Sequence, residues 1–197
     1  MKAQIRTLTS AFVAFLPIST LANFSPHPGF EQLSDDHPEA IALSEARRMA
    51  INFIRKAATT SSFNEQKRKD IAAAAIDKLS IAKIYVSVNP FNVSCHGNRA
   101  YVDQKIPNSI FICDQIRGEL MNKNPETLVG IAQDLIHESI HLLGSRDECI
   151  ATNFELTVMK EAIGWAKTNS LNGYGASCGG FNEFKSITGQ RLQHEPN

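Results

Sequence analysis

The chain has 197 residues, and its 20 lysine and arginine residues balance its 20 aspartate and glutamate residues. This length suits one domain of ordinary size, which can bury a hydrophobic core without a metal ion or disulfides to hold it together. A net charge of zero argues against a nucleic-acid partner and against binding to an anionic membrane surface.

The N-terminus has the pattern of a secretory signal peptide. Lys2 and Arg6 precede an apolar run at residues 11–16, and the small residues Thr20 and Ala22 follow, where a signal peptidase would cut. The run is too short to span a bilayer, and no longer one follows it. We predict that residues 1–22 are removed, which leaves a secreted or periplasmic protein without a membrane span.

The first half of the mature chain is predicted to contain a leader, two helices and a strand. Residues 23–38 are rich in proline and aspartate and lack a periodic pattern, so we expect an exposed leader there. Apolar residues at helical spacing predict helices over residues 38–56 and 65–79. β-Branched and aromatic residues then predict a strand over residues 84–88. No repeat or low-complexity tract interrupts residues 39–197, which we assign to a single domain.

The second half is predicted to contain two further strands and two helices. A short strand is expected at residues 100–102 and a stronger one at 109–113. Asn124 as N-cap and Pro125 at the first helical position predict the start of a largely buried helix. Gly144 can end this helix in a left-handed conformation, and the last helix follows after a tight turn.

Four cysteines in an exported protein indicate two disulfides, and four cysteines allow three pairings. We favour Cys95 with Cys113, a pair that would close a hairpin. The remaining pair, Cys149 with Cys178, would tie the C-terminal tail back beside the last helix.

The most informative motif is His-Glu-Ser-Ile-His at residues 137–141. Residues four apart lie on one face of a helix, so His137 and His141 can hold one divalent ion while Glu138 reaches a water molecule bound to it. The flanking residues are apolar, which predicts a buried helix and not a solvated pair of histidines. The spacing therefore predicts a zinc hydrolase.

A catalytic zinc ion needs three protein ligands and one open position, so a nearby acid is expected to complete the site. Asp147 and Glu148 are the two candidates. Glu148 also follows Ser145 by three residues, and together they predict a capping box for the final helix, which would run to about Lys167. Asp147 has an alternative role as an acid in the first turn of that helix.

The motif resembles that of the zincin metallopeptidases, and more narrowly the metzincin-like spacing HExxHxxGxxD. The residues that match this spacing are His137, Glu138, His141, Gly144 and Asp147. Glu148 instead begins an ExxAxxF pattern, which resembles the helix from which other zincins supply a glutamate ligand. The resemblance favours Asp147 as the third ligand, with Glu148 as the alternative.

The resemblance implies an α+β, zincin-like fold: N-terminal helices, a small and mostly antiparallel sheet with an edge strand before the active-site helix, and then a helix-turn-helix. It implies that residues 109–113 form that edge strand and hold an extended peptide by main-chain pairing. It also implies that Glu138 is the general base on a zinc-activated water molecule. Tyr174 is a candidate to stabilise the oxyanion.

We therefore predict an exported, monomeric zinc metallopeptidase, a hydrolase whose substrate is a peptide or a protein. The alternative is an exported, disulfide-bonded binding or effector protein on a zincin-like scaffold, without general peptidase turnover. Glu138 favours the enzyme, because a binding module needs no general base beside the two histidines.

Overall fold

The computed structural model describes residues 26–89, 92–121 and 124–164. These residues form five α-helices and a four-stranded sheet, and the predicted α+β class is confirmed. In chain order the elements are β1 (Phe30–Glu31), α1 (Pro38–Ala57), α2 (Gln66–Ile81), β2 (Lys83–Ser87), β3 (Ala100–Tyr101), β4 (Ser109–Ile112), α3 (Asp114–Leu120), α4 (Pro125–Leu142) and α5 (Glu148–Ile163).

The sheet is mixed, with the strand order β1-β2-β4-β3. β2 pairs with β4 in parallel, with Ile84 opposite Ile110, whereas the two outer pairs are antiparallel. The prediction that residues 109–113 form an edge strand is wrong, because β4 lies inside the sheet and all four of its residues are buried. A strand that is covered on both faces has a nearly continuous apolar sequence, as β4 has at residues 110–112. The edge strand on this side of the sheet is β3.

Helix α4 packs against α1, α2 and α5. Its first turn follows the predicted signals, since the Asn124 side chain accepts a hydrogen bond from the N–H of Glu126 and Pro125 fills the first helical position. The buried face of α1 is rich in small side chains, which allow neighbouring helices to approach closely. These buried residues are Ala42, Ala46, Ala50 and Ala57. The position of α4 is thus fixed by the core on several sides.

An aromatic cluster covers one face of the sheet. The ring of Phe111 stacks on those of Tyr85 and Tyr101, with centroid distances of 5.4 and 5.1 Å. Phe30 of β1 packs edge-on against Phe111 at 5.0 Å and is only 5% exposed. The predicted exposed leader at residues 23–38 therefore needs correction, because part of it joins the sheet. A strand of two residues is too short to leave a periodic pattern in the sequence.

A disulfide joins Cys95 to Cys113, and this predicted pair is confirmed. It ties the segment before β3 to the residue that follows β4. Cys178 lies outside the described residues, so its pairing with Cys149 stays a prediction, as does the signal peptide at residues 1–22. Within the described ranges, each helix is too short or too polar to cross a membrane.

Candidate metal centre

The two motif histidines lie on successive turns of α4 and point toward the same place. Their Nε2 atoms are 3.1 Å apart, and their side chains are 16% and 11% exposed. Glu148, the first residue of α5, brings its Oε2 to within 3.1 Å of His137 Nε2 and 3.5 Å of His141 Nε2. Three ligand atoms therefore converge, and His137, His141 and Glu148 can hold a metal ion.

The start of α5 determines which acid reaches the histidines. Asp147 is the N-cap, and its Oδ1 accepts hydrogen bonds from the N–H groups of Cys149 and Ile150 at 2.9 and 3.2 Å. Ser145 is not the cap but accepts a hydrogen bond from the N–H of Asp147, so the predicted capping box is wrong. The structure thus brings the alternative acid, Glu148, to the histidine pair, and not Asp147.

A glycine turn joins α4 to α5. Gly144 has a φ of 93°, in the left-handed region that favours glycine. The N–H of Gly144 donates to the carbonyl oxygen of His141 at 2.9 Å, and the N–H of Ser145 donates to the carbonyl oxygen of Ile140 at 3.4 Å. These two hydrogen bonds form the Schellman motif, which ends a helix. Because the turn is so short, α5 begins beside the last turn of α4 and Glu148 faces the histidines.

The second ring nitrogen of each histidine lies beside a hydrogen-bond acceptor. His137 Nδ1 is 2.9 Å from Oε2 of Glu155, and His141 Nδ1 is 2.8 Å from the carbonyl oxygen of Ser145. Carboxylates and carbonyls only accept, so both Nδ1 atoms carry a proton. Both Nε2 lone pairs are then directed toward the common point, as a metal site requires. Glu155 is fixed in turn by a hydrogen bond from the side chain of Gln133.

The electrostatics of the cluster favour a bound positive charge. Burial lowers the pKa of His137, but the hydrogen bond to Glu155 and the charges of Glu155, Glu138 and Glu148 outweigh it and raise the pKa to about 9. Without a metal ion, the site therefore takes up a proton in its place. A divalent cation would satisfy the same acceptors.

The donor set and its spacing fit a zinc ion. Two imidazole nitrogens and one carboxylate oxygen are the three protein ligands of some zinc sites. Tetrahedral ligands at about 2.1 Å from zinc lie about 3.4 Å from one another. The three separations between His137, His141 and Glu148 are 3.1, 3.1 and 3.5 Å, close to that value.

Glu138 lies beside this cluster and is 5% exposed. Its Oε2 has no hydrogen-bond partner among the described residues. Burial raises the pKa of Glu138 to about 8, with a further contribution from Glu148 and against the attraction of His137. A buried carboxyl group that changes charge near neutral pH is suited to accept and release a proton.

The site opens into a cleft of about 800 Å³. One wall consists of α4 and the start of α5, and the other of β3 and the segment after it, through Lys105. Gln104 bridges the two walls, since its side chain donates to the carbonyl of Ser145 at 3.4 Å and accepts from Arg146 at 3.3 Å. Tyr174, the predicted oxyanion residue, lies outside the described residues.

Arg99 and Asp134 line the same cleft and belong to a second charged group. Arg99 donates to both carboxylate oxygens of Glu119 at 2.7 and 2.8 Å, and its Nε donates to Asp134 at 3.1 Å. Burial raises the pKa of Asp134 to about 7, against the opposing pull of Arg99. Asp134 lies one helical turn before His137, so this network ties the motif helix to the segment that leads into β3.

Glu155 and Gln133 were missed in the sequence. Glu155 lies seven residues after Glu148, and Gln133 lies four residues before His137, so each shares a helix face with a site residue. These spacings are the signal in the sequence that could have indicated the two residues. For Glu155, the signal is informative only when Glu148 is taken as the ligand.

Comparison of the chain with protein-family models, with curated proteins and with solved structures finds no match in any of the three. The resemblance to zincins therefore rests on the motif residues.

Proposed function

We propose that this chain is an exported, zinc-dependent peptidase that hydrolyses peptide bonds with Glu138 as the general base. The observation that carries the proposal is the convergence of His137 Nε2, His141 Nε2 and Glu148 Oε2 beside an oxygen of Glu138 that has no hydrogen-bond partner among the described residues. A site that only stored a metal ion would have no use for a further buried carboxylate beside its ligands.

Each site residue has its own role in the proposed reaction. His137, His141 and Glu148 would hold zinc, which when bound supplies an acidified water molecule and polarises the scissile carbonyl. Glu138 takes the proton of the attacking water and delivers it to the leaving amine. Glu155 keeps the imidazole of His137 in the required tautomer and orientation.

The cleft offers a place for an extended peptide. β3 pairs with β4 along one side, and its residues Ala100 and Tyr101 line the cleft. A substrate strand that paired with β3 would lie between the sheet and α4, next to the histidines. This assigns to β3 the role predicted for residues 109–113.

Export is part of the proposal. The Cys95–Cys113 disulfide is typical of an oxidising compartment, such as the periplasm or the outside of the cell. The predicted signal peptide at residues 1–22 agrees with that location. We expect the mature enzyme to be a monomer.

The test compares Glu138→Gln with the wild type. We expect hydrolysis of fluorescein-labelled casein to fall about a thousandfold, because the general base is lost, while the zinc content stays the same. Glu126→Gln, an exposed substitution in the first turn of the same helix, is the matched control and should change neither property. Undiminished hydrolysis by Glu138→Gln would refute the role of Glu138. Zinc-loaded wild type that cleaves nothing would favour the binding or effector alternative.

A further inference from the structure

Gly130 lies in the interior of α4 and on the face that lines the cleft. It precedes His137 by seven residues, which is two helical turns. An added Cβ at this position would meet no atom within 4 Å beyond its chain neighbours and the backbone of its own helix. The cleft therefore has open space above Gly130.

Nothing in the packing of the described residues demands a glycine at this position. Glycine in a helix interior costs about 1 kcal/mol relative to alanine. No neighbouring backbone approaches closely, and α4 continues as a regular helix on both sides. The missing side chain leaves this part of the cleft open.

The charged side chains beside this space determine which kind of substrate side chain can bind there. Asp134 follows Gly130 by one helical turn and lines the cleft with Arg99. The single guanidinium of Arg99 is shared between two carboxylates, those of Asp134 and Glu119. Burial raises the pKa of Asp134 to about 7, and a cation nearby would favour its ionised form, in which the group carries one net negative charge. An additional positive charge above Gly130 would balance it.

We propose that Gly130 is the floor of a substrate subsite that takes a long, positively charged side chain, with Asp134 as its counter-charge. Seven residues of helix span about 10 Å. An extended peptide advances about 3.3 Å per residue, so the side chain belongs to the second or third residue from the scissile bond. The subsite deepens the proposed peptidase function and rests on it.

Binding of peptides tests the subsite separately from turnover. The probes are two fluorescein-labelled peptides, Ala-Gly-Ala-Lys-Ala-Gly-Ala and the same peptide with norleucine in place of lysine. Their dissociation constants are measured by fluorescence anisotropy on the zinc-loaded Glu138→Gln protein, which does not consume them. We expect the lysine peptide to bind at least tenfold more tightly than the norleucine peptide.

Two leucine substitutions in the same background locate the effect. Gly130→Leu fills the open space and should abolish the preference for lysine. Gly118→Leu is the matched control, because Gly118 is also a helical glycine with no atom within 4 Å of an added Cβ but does not line the cleft. It should keep the preference, which also controls for the effect of an added leucine.

Equal binding of the two peptides, no binding of either, or a preference that survives Gly130→Leu would overturn the subsite. A lysine preference in a wild type that cleaves no peptide would leave the subsite standing and would count against the peptidase function. The two proposals can therefore fail separately.

Discussion

Two charged clusters in this chain differ in how their charges are paired. The guanidinium of Arg117 lies 3.2 Å from the buried carboxylate of Glu39 and donates to the carbonyl of Ser87 at 2.7 Å. Positive and negative groups thus meet, and the cluster joins α3 to α1 and β2. At the other cluster, the Nε2 atoms of His137 and His141 and the carboxylate of Glu148 are all acceptors once Nδ1 is protonated.

The difference separates a structural role from a functional one. A buried charge with its counter-charge in place needs nothing from solution, and removal of one partner is destabilising because it leaves the other charge buried and unpaired. Acceptors that converge with no donor repel one another until a proton or a metal ion binds between them. Substitutions should therefore affect stability at the first cluster and metal affinity at the second.

Arg117→Met should produce the largest loss of stability. It leaves the carboxylate of Glu39, only 7% exposed, without its counter-charge, and we expect the free energy of unfolding to fall by about 3 kcal/mol. Urea unfolding measures this loss. Arg48→Met removes an exposed ion pair with Glu45 and should cost less than about 0.5 kcal/mol. If Arg117→Met lowered the free energy of unfolding as little as Arg48→Met does, the buried pair would contribute no more to stability than an exposed one.

Glu148→Ala should weaken zinc binding about a hundredfold, because one of three ligands is lost and water replaces it; this corresponds to about 2.7 kcal/mol. Competition with a chromophoric chelator measures the affinity. Unchanged affinity would exclude Glu148 as a ligand.

Glu155→Gln should weaken zinc binding about tenfold, since a neutral amide orients the imidazole of His137 less firmly than a carboxylate does. The same chelator competition applies. Glu161→Gln, on the same helix but bonded to Ser62 away from the cleft, is the control and should bind zinc as the wild type does. A loss of affinity in both variants would point to a general disturbance of α5.

Asp147→Ala should have the smallest effect. The N-cap of α5 is lost, which costs about 1 kcal/mol in the free energy of unfolding measured by urea in the presence of a chelator. The zinc affinity should stay close to that of the wild type, because the carboxylate of Asp147 bonds to the backbone of α5. A large loss of zinc affinity would restore Asp147 as the third ligand.

Local signals predicted much of the helical structure. The start of α4 at Asn124 and Pro125 and its end at Gly144 depend on residues adjacent in sequence, and these predictions are confirmed. α3 was missed because its seven residues follow β4 with no intervening turn. The position of β4 inside the sheet depends on parallel pairing with β2, which residues 109–113 do not encode by themselves.

The site shows the same limit. His137, Glu138 and His141 lie within one helix, so their spacing alone brings them to one face. The choice between Asp147 and Glu148 depended on where α5 begins. Ser145 and Asp147 are both good caps, and a shift of two residues in the start of the helix exchanges the roles of the two acids.

The metal content of the purified, mature wild-type protein tests the metal centre most directly. Elemental analysis of protein from a zinc-replete preparation should find about one zinc ion per chain, and His137→Ala should contain almost none. His96→Ala, at an exposed histidine outside the cleft, should match the wild type. Wild-type protein that contains no metal, or one whose zinc survives His137→Ala, would contradict a metal site at His137, His141 and Glu148.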